Sequence, residues 1–125
     1  MASLLTKEYF GVIGNNQAAV KNVSSCLADK ICTKVIKSLD GVQKANSSLA
    51  AIAYVMDCQS QIHQYNLDFI YQNASNKLLY IFSNHISIPM LHHALKLRVR
   101  DVFKMPVNNK TLDNLSLEVS ETTNI

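Results

Sequence analysis

Three side chains able to do chemistry stand at the ends of apolar runs. Asp57 follows Ile52 to Met56, Ser83 closes the run that opens at Leu78, and Lys104 sits beside Met105-Pro106 at the end of a run that opens at Asp101. If these runs are strands of one parallel sheet, the three groups meet Gly14-Asn15 at its carboxyl edge, where α/β folds gather ligands and chemistry. A carboxylate there is either a nucleophile or the cap of a loop, and a hydroxyl is either a contact for a transferred group or an ordinary turn residue. Residue types alone leave both readings open.

Other reactive residues carry less. His92-His93 is a neighbouring pair that diverges by about 100° on a helix, so it cannot chelate as i,i+4 histidines do, and His85 has no Cys or acid at ligand spacing. These histidines are expected at the surface or at caps. Cys26, Cys32 and Cys58 have no paired spacing, which suits reduced, buried thiols better than a disulfide framework. No glycine-rich phosphate loop is present. With 125 residues, 48% hydrophobic and 17% charged, the chain is expected to be one domain, residues 1–125, with a core over about 8–119 and flexible termini. No apolar run approaches the roughly 18 residues of a membrane span, and no basic-then-apolar leader opens the chain. A cytoplasmic location is therefore expected, and the Asn-X-Ser/Thr sites at Asn22 and Asn46 carry no meaning as glycosylation signals. A net charge of +3 is too mild to argue for nucleic acid.

The elements that must position these groups follow from periodicity. Tyr9 to Ile13 reads as a strand, and Val20, Val23 and Leu27 as one face of a helix capped by Asn15 or Asn16. Cys32 to Ile36 is a second strand. Val42, Ala45 and Leu49 mark a second helix opened by Asp40. Ile52 to Met56, with no polar alternation, suits a central strand covered on both faces. Ile62, Tyr65, Phe69 and Ile70 give a third helix, ended by the turn formers Asn73 to Asn76. Leu78 to Ser83, a short amphipathic helix and Asp101 to Met105 follow, and Leu112, Leu115 and Val119 give a last helix. Alternation of this kind requires right-handed crossovers and a parallel sheet.

The register of LLYIFSNHISIPMLHHALKLRVRDVFKMPV is more specific. Ser83 is followed eleven residues later by Ala94 of an Ala-Leu pair, then by Asp101 and by a lysine near a proline. This resembles the receiver domain of two-component response regulators, and the resemblance extends over most of the chain. It implies a flavodoxin-like three-layer α/β/α sandwich with a five-stranded parallel sheet in the order 2-1-3-4-5, two helices on one side and three on the other. It implies Asp57, 43 residues after Gly14, as the position that takes a phosphoryl group as an acyl phosphate. It also implies an adjacent acidic pair for Mg²⁺, the Ser83 hydroxyl touching the phosphoryl oxygen, and a lysine pairing with it.

The chain departs from that pattern in several places. The acidic-pair positions are Gly14 and Asn15, Met105 occupies the lysine position before Pro106, and Lys104 sits one residue early, on the opposite strand face. Val102 stands where the family has an aromatic rotamer switch, and a β-branched valine is too stiff for that role. Arg98 replaces the glycine expected in the turn before the last strand, which demands a backbone tolerant of the left-handed region. The expectation is a degenerate receiver, non-enzymatic, without a cofactor and with at most weak Mg²⁺ binding. It would act through a face comprising Leu91, Leu95, Lys96, Arg98, Arg100, Val102 and Lys104 on a protein partner or output domain, or as a homodimer, with no membrane or direct nucleic-acid contact. Because no DNA-binding segment follows Ile125, a stand-alone receiver or the N-terminal domain of a longer transcription regulator is expected, the latter slightly favoured. Two alternatives remain: a working receiver phosphorylated at Asp57 by a histidine kinase, with Ser83 and Lys104 assisting, and a small-molecule or nucleotide sensor using the emptied acidic pocket.

Overall fold

The computed structural model describes residues 9–29, 31–45, 48–56, 61–74, 77–108, 110 and 112. In chain order its elements are β1 (Tyr9–Gly14), α1 (Gln17–Ala28), β2 (Thr33–Val35), α2 (Leu39–Lys44), β3 (Leu49–Met56), α3 (Gln61–Asn73), β4 (Leu78–Ser83), α4 (Ile88–Lys96) and β5 (Asp101–Lys104). The strands form one five-stranded sheet in the order β2-β1-β3-β4-β5. Every pairing is parallel. This is the flavodoxin-like architecture the receiver resemblance implies. Among the described residues, no helix is long and apolar enough to cross a membrane.

The sheet separates two apolar layers. On one side, Val20, Val23 and Leu27 of α1 pack with Phe10, Val12, Phe82, Met105 and Leu112. On the other, Val42 of α2, Leu67 and Ile70 of α3, and Ala94 and Leu97 around the end of α4 cover Ile13, Ile52, Tyr54 and Ile81. Three helices thus lie on one face, as expected. The expected last helix falls outside the described residues except for Leu112, which is fully buried beside α1. All eight residues of β3 are buried, which explains its unbroken apolar run.

Several sequence-based boundaries shift for local reasons. Asn16 is the cap of α1, its side-chain oxygen accepting from the Ala19 amide at 2.9 Å. The second helix opens at Ser38, whose hydroxyl accepts from the Gly41 amide at 3.3 Å, rather than at Asp40. That helix ends at Lys44, and Leu49, expected on its face, begins β3 opposite Tyr9. Burial decides this: Leu49 is fully enclosed beneath the sheet, and the central strand gains length.

The face of α3 is also corrected. Ile62 and Tyr65, expected in the core, are 48% and 62% exposed. The buried stripe runs instead through His63, Asn66, Leu67, Ile70 and Ala74 at helical spacing. Two polar residues can occupy it because Tyr54 of β3 brings a hydroxyl to the same place.

Arg98 adopts φ 57°, the left-handed conformation the displaced glycine demanded. It is the residue after the C-cap of α4 in a complete Schellman arrangement: the Val99 amide donates to the Ala94 carbonyl at 3.0 Å and the Arg98 amide to the Leu95 carbonyl at 3.1 Å. The backbone keeps the turn although its side chain disfavours it.

Candidate functional site

The carboxyl edge of the sheet is where the predicted groups were to meet. Asp57 and Cys58 lie outside the described residues. Ser83 ends β4 directly across from Met56 on one side and Lys104 on the other. It is 1% exposed, and its hydroxyl is engaged within its own turn, donating to the His85 carbonyl at 2.8 Å while accepting from the His85 amide at 3.1 Å. The Asn84 amide donates to the Met56 carbonyl at 3.3 Å and the Met105 amide to the Ser83 carbonyl at 2.8 Å, so the ends of β3, β4 and β5 are tied together.

Gly14 ends β1 opposite Val55. A Cβ placed on it would lie 2.7 Å from the Val55 carbonyl oxygen and 2.9 Å from both Val20 Cγ2 and Val55 Cβ. The first position of the acidic pair therefore lacks a carboxylate and also lacks the room for one. Asn15 is an exposed amide. The β4–β5 register runs without interruption from Tyr80–Asp101 to Ser83–Lys104, so no bulge turns Lys104 inward. Strand alternation puts Lys104 on the Val102 face, exposed, while Phe103 and Met105 pack into the opposite layer. Phe103 stacks on Phe82 with ring centroids 5.0 Å apart, and Val102 packs in the α4 layer.

A receiver-type Mg²⁺ site needs several oxygen ligands and net negative charge. Gly14, Asn15 and the outward-facing Lys104 do not fit that requirement. Among the described residues, no cluster of three or more His, Cys, Asp or Glu could hold a metal. His85 and His92 are exposed, and His93 pairs with Asp68 at 3.0 Å, bridging α4 to α3. Cys26 is half-buried and Cys32 exposed, so these two are not the fully buried thiols the sequence suggested.

Of the residues predicted for the interaction face, all but Val102 are exposed. On α4, Ile88 and Leu95 are 72% and 76% exposed, with Leu91 between them on the same side of the helix. Lys96, Arg98, Arg100 and Lys104 are exposed nearby in sequence, and Val102 is half-buried. Ile88 joins this ridge although the sequence reading began it at Leu91.

One constellation was missed. His63, 2% exposed, meets the Tyr54 hydroxyl through Nδ1 at 2.6 Å, and Asn66 Nδ2 donates to the same hydroxyl oxygen at 2.9 Å. The triad locks the first half of α3 onto β3, three residues before Asp57. The signal was legible: the Leu67, Ile70, Ala74 stripe extends backwards through His63.

No family model and no curated protein matches the chain. Solved structures do. A pilus assembly-related protein from Burkholderia pseudomallei K96243 superposes with a TM-score of 0.74 at 10% identity, covering 94% of this chain and 92% of that one. A CheY-like response regulator receiver domain protein from Methanospirillum hungatei JF-1 gives 0.71 at 10% identity, over 94% and 98%. A response regulator receiver domain protein from Clostridium thermocellum gives 0.67 at 15% identity, over 94% of each. At these identities the likeness is one of architecture: the chain has the fold of response regulator receiver domains.

Proposed function

We propose that the protein is a non-enzymatic, cytoplasmic interaction module, a receiver fold that signals by protein contact rather than by phosphoryl transfer. The observation that carries this reading is Gly14, whose surroundings leave no space for the side chain that metal-assisted chemistry requires at that position. Asn15, Met105 and the exposed Lys104 support it, because each leaves a role in that chemistry unfilled. The test is an amide NMR titration with Mg²⁺ and then with beryllofluoride, a mimic of the phosphoryl group. Peaks of Asp57, Ser83 and β5 are expected to stay still at millimolar Mg²⁺ and to ignore beryllofluoride. Saturable shifts would favour the second reading, a receiver phosphorylated at Asp57, which the retained Ser83 hydroxyl recommends.

The contact surface in this proposal is the ridge of Ile88, Leu91 and Leu95 on α4 with the basic residues beside it. Three exposed aliphatic side chains on one helix face, with exposed lysine and arginine following in sequence, suit a docking surface with a dry centre. We assign it to a second copy of the chain or to an output domain. Leu95→Asp is expected to weaken self-association about tenfold or more, read by sedimentation velocity over a concentration series. A dimer of unchanged affinity in that variant would remove the ridge from the interface, and a parent that stays monomeric throughout would leave the output domain as its partner. The likeness to a pilus assembly-related protein fits a fold employed for assembly contacts.

A further inference from the structure

A groove lies at the opposite edge of the sheet from that ridge, between α1 and the end of β2. Its volume is about 710 Å³, within the range of roughly 300–1,000 Å³ typical of small-molecule sites. Asn15, Gln17 and Lys21 come from the β1–α1 turn and α1, and Val35, Ile36 and Lys37 from the end of β2 and the residues after it. Three features distinguish it from an ordinary surface cleft. Each wall carries one lysine, and no carboxylate lines the groove among the described residues. Val35 is a large aliphatic side chain left 51% exposed on that wall. Its position, at the carboxyl ends of β1 and β2, is the side on which open α/β sheets take ligands.

We propose that this groove binds a small organic phosphate, a dianion carried on an apolar body. Two ammonium groups, with no carboxylate among the described lining residues, balance a dianionic headgroup, since lysines act as point charges toward phosphate oxygens. Asn15 and Gln17 offer amide donors to the same oxygens. The apolar body covers Val35, which water otherwise wets. The groove shares Gly14 and Asn15 with the carboxyl edge and lies across the whole sheet from the α4 ridge. It can therefore be occupied while the protein contact forms, which makes it an input to the module rather than a competitor for it.

Amide NMR with phenyl phosphate and AMP as probes tests this, with inorganic phosphate and adenosine as controls lacking the apolar body or the anion. Neither probe transfers its phosphoryl group readily, so any response reports binding. Saturable shifts at Gln17, Lys21, Val35 and Lys37 are expected for both probes, with inorganic phosphate and adenosine each at least about tenfold weaker. Lys21→Gln/Lys37→Gln, two exposed positions whose change leaves the core intact, is expected to weaken both probes about tenfold or more. The proposal is overturned if neither probe saturates at millimolar concentration, if adenosine matches AMP, if the shifts fall elsewhere, or if the double variant binds as the parent does. None of these outcomes touches the Mg²⁺ titration, so the two readings fail separately.

Discussion

Gly14→Asp is expected to lower stability by about 2 kcal/mol and to gain no Mg²⁺ binding. The added Cβ would sit 2.7 Å from the Val55 carbonyl oxygen and 2.9 Å from Val55 Cβ. Neither atom can give way easily, because Val55 is paired on both sides, with Gly14 and with Phe82, in the middle of the sheet. Val20 Cγ2 closes the third direction, held on the buried face of α1. Overpacking of this kind typically costs about 1–3 kcal/mol, and a carboxylate pressed toward a carbonyl oxygen adds repulsion. Urea denaturation of Gly14→Asp and of Gly14→Asp/Asn15→Asp, with and without millimolar MgCl₂, measures it. Both midpoints are expected to fall and neither to recover with Mg²⁺. A variant as stable as the parent whose midpoint rises with Mg²⁺ would show the edge to be an open metal site, and the proposed function would fall with that result.

Tyr54→Phe is expected to destabilise by about 2 kcal/mol, although it deletes one oxygen and leaves the core volume almost unchanged. The loss comes from the partners. Asn66 Nδ2 and His63 Nδ1 both meet that hydroxyl, and both residues are buried. Removing a shared partner leaves desolvated polar groups behind, at about 1–3 kcal/mol each before relaxation. Replacing all three, as Tyr54→Phe/His63→Leu/Asn66→Leu, is expected to recover most of the loss, since apolar groups of similar shape need no partners. The chemical denaturation midpoints of the three proteins decide the matter. A Tyr54→Phe loss under about 0.5 kcal/mol, the size of an ordinary surface change, would show that the triad does not hold α3 to β3.

The same two sites mark what could be read in the chain and what could not. Alternating apolar runs and helical stripes sufficed for the elements and a parallel sheet, because an unbroken run such as Ile52 to Met56 suits a covered strand and parallel strands require crossovers; the strand order came from the receiver resemblance. The register of Ser83, Ala94, Asp101 and Pro106 located the carboxyl edge, and the strand period by itself placed Lys104 and Met105 on opposite faces. Arg98 in a glycine position was legible too, as was the exposed character of Leu91 and Leu95.

Tertiary structure decided the rest. The sequence shows that residue 14 is a glycine, but only packing against Val55 and Val20 shows that no larger residue fits there. Periodicity pointed to a stripe on α3 through Ile62 and Tyr65, whereas a second stripe, through His63 and Asn66, is the buried one. A buried hydroxyl on a different strand chose the second, by giving two polar side chains a partner inside the core. Leu49 likewise left the second helix for β3 because the ladder opposite Tyr9 and a fully enclosed site awaited it. The groove beside Val35 has no trace in the one-dimensional pattern, since its walls come from segments that only the β1–β2 pairing brings together. Local patterns fix which elements form and which way their faces alternate. Contacts between residues distant in the chain fix what each face meets, and the function of this protein depends on those contacts.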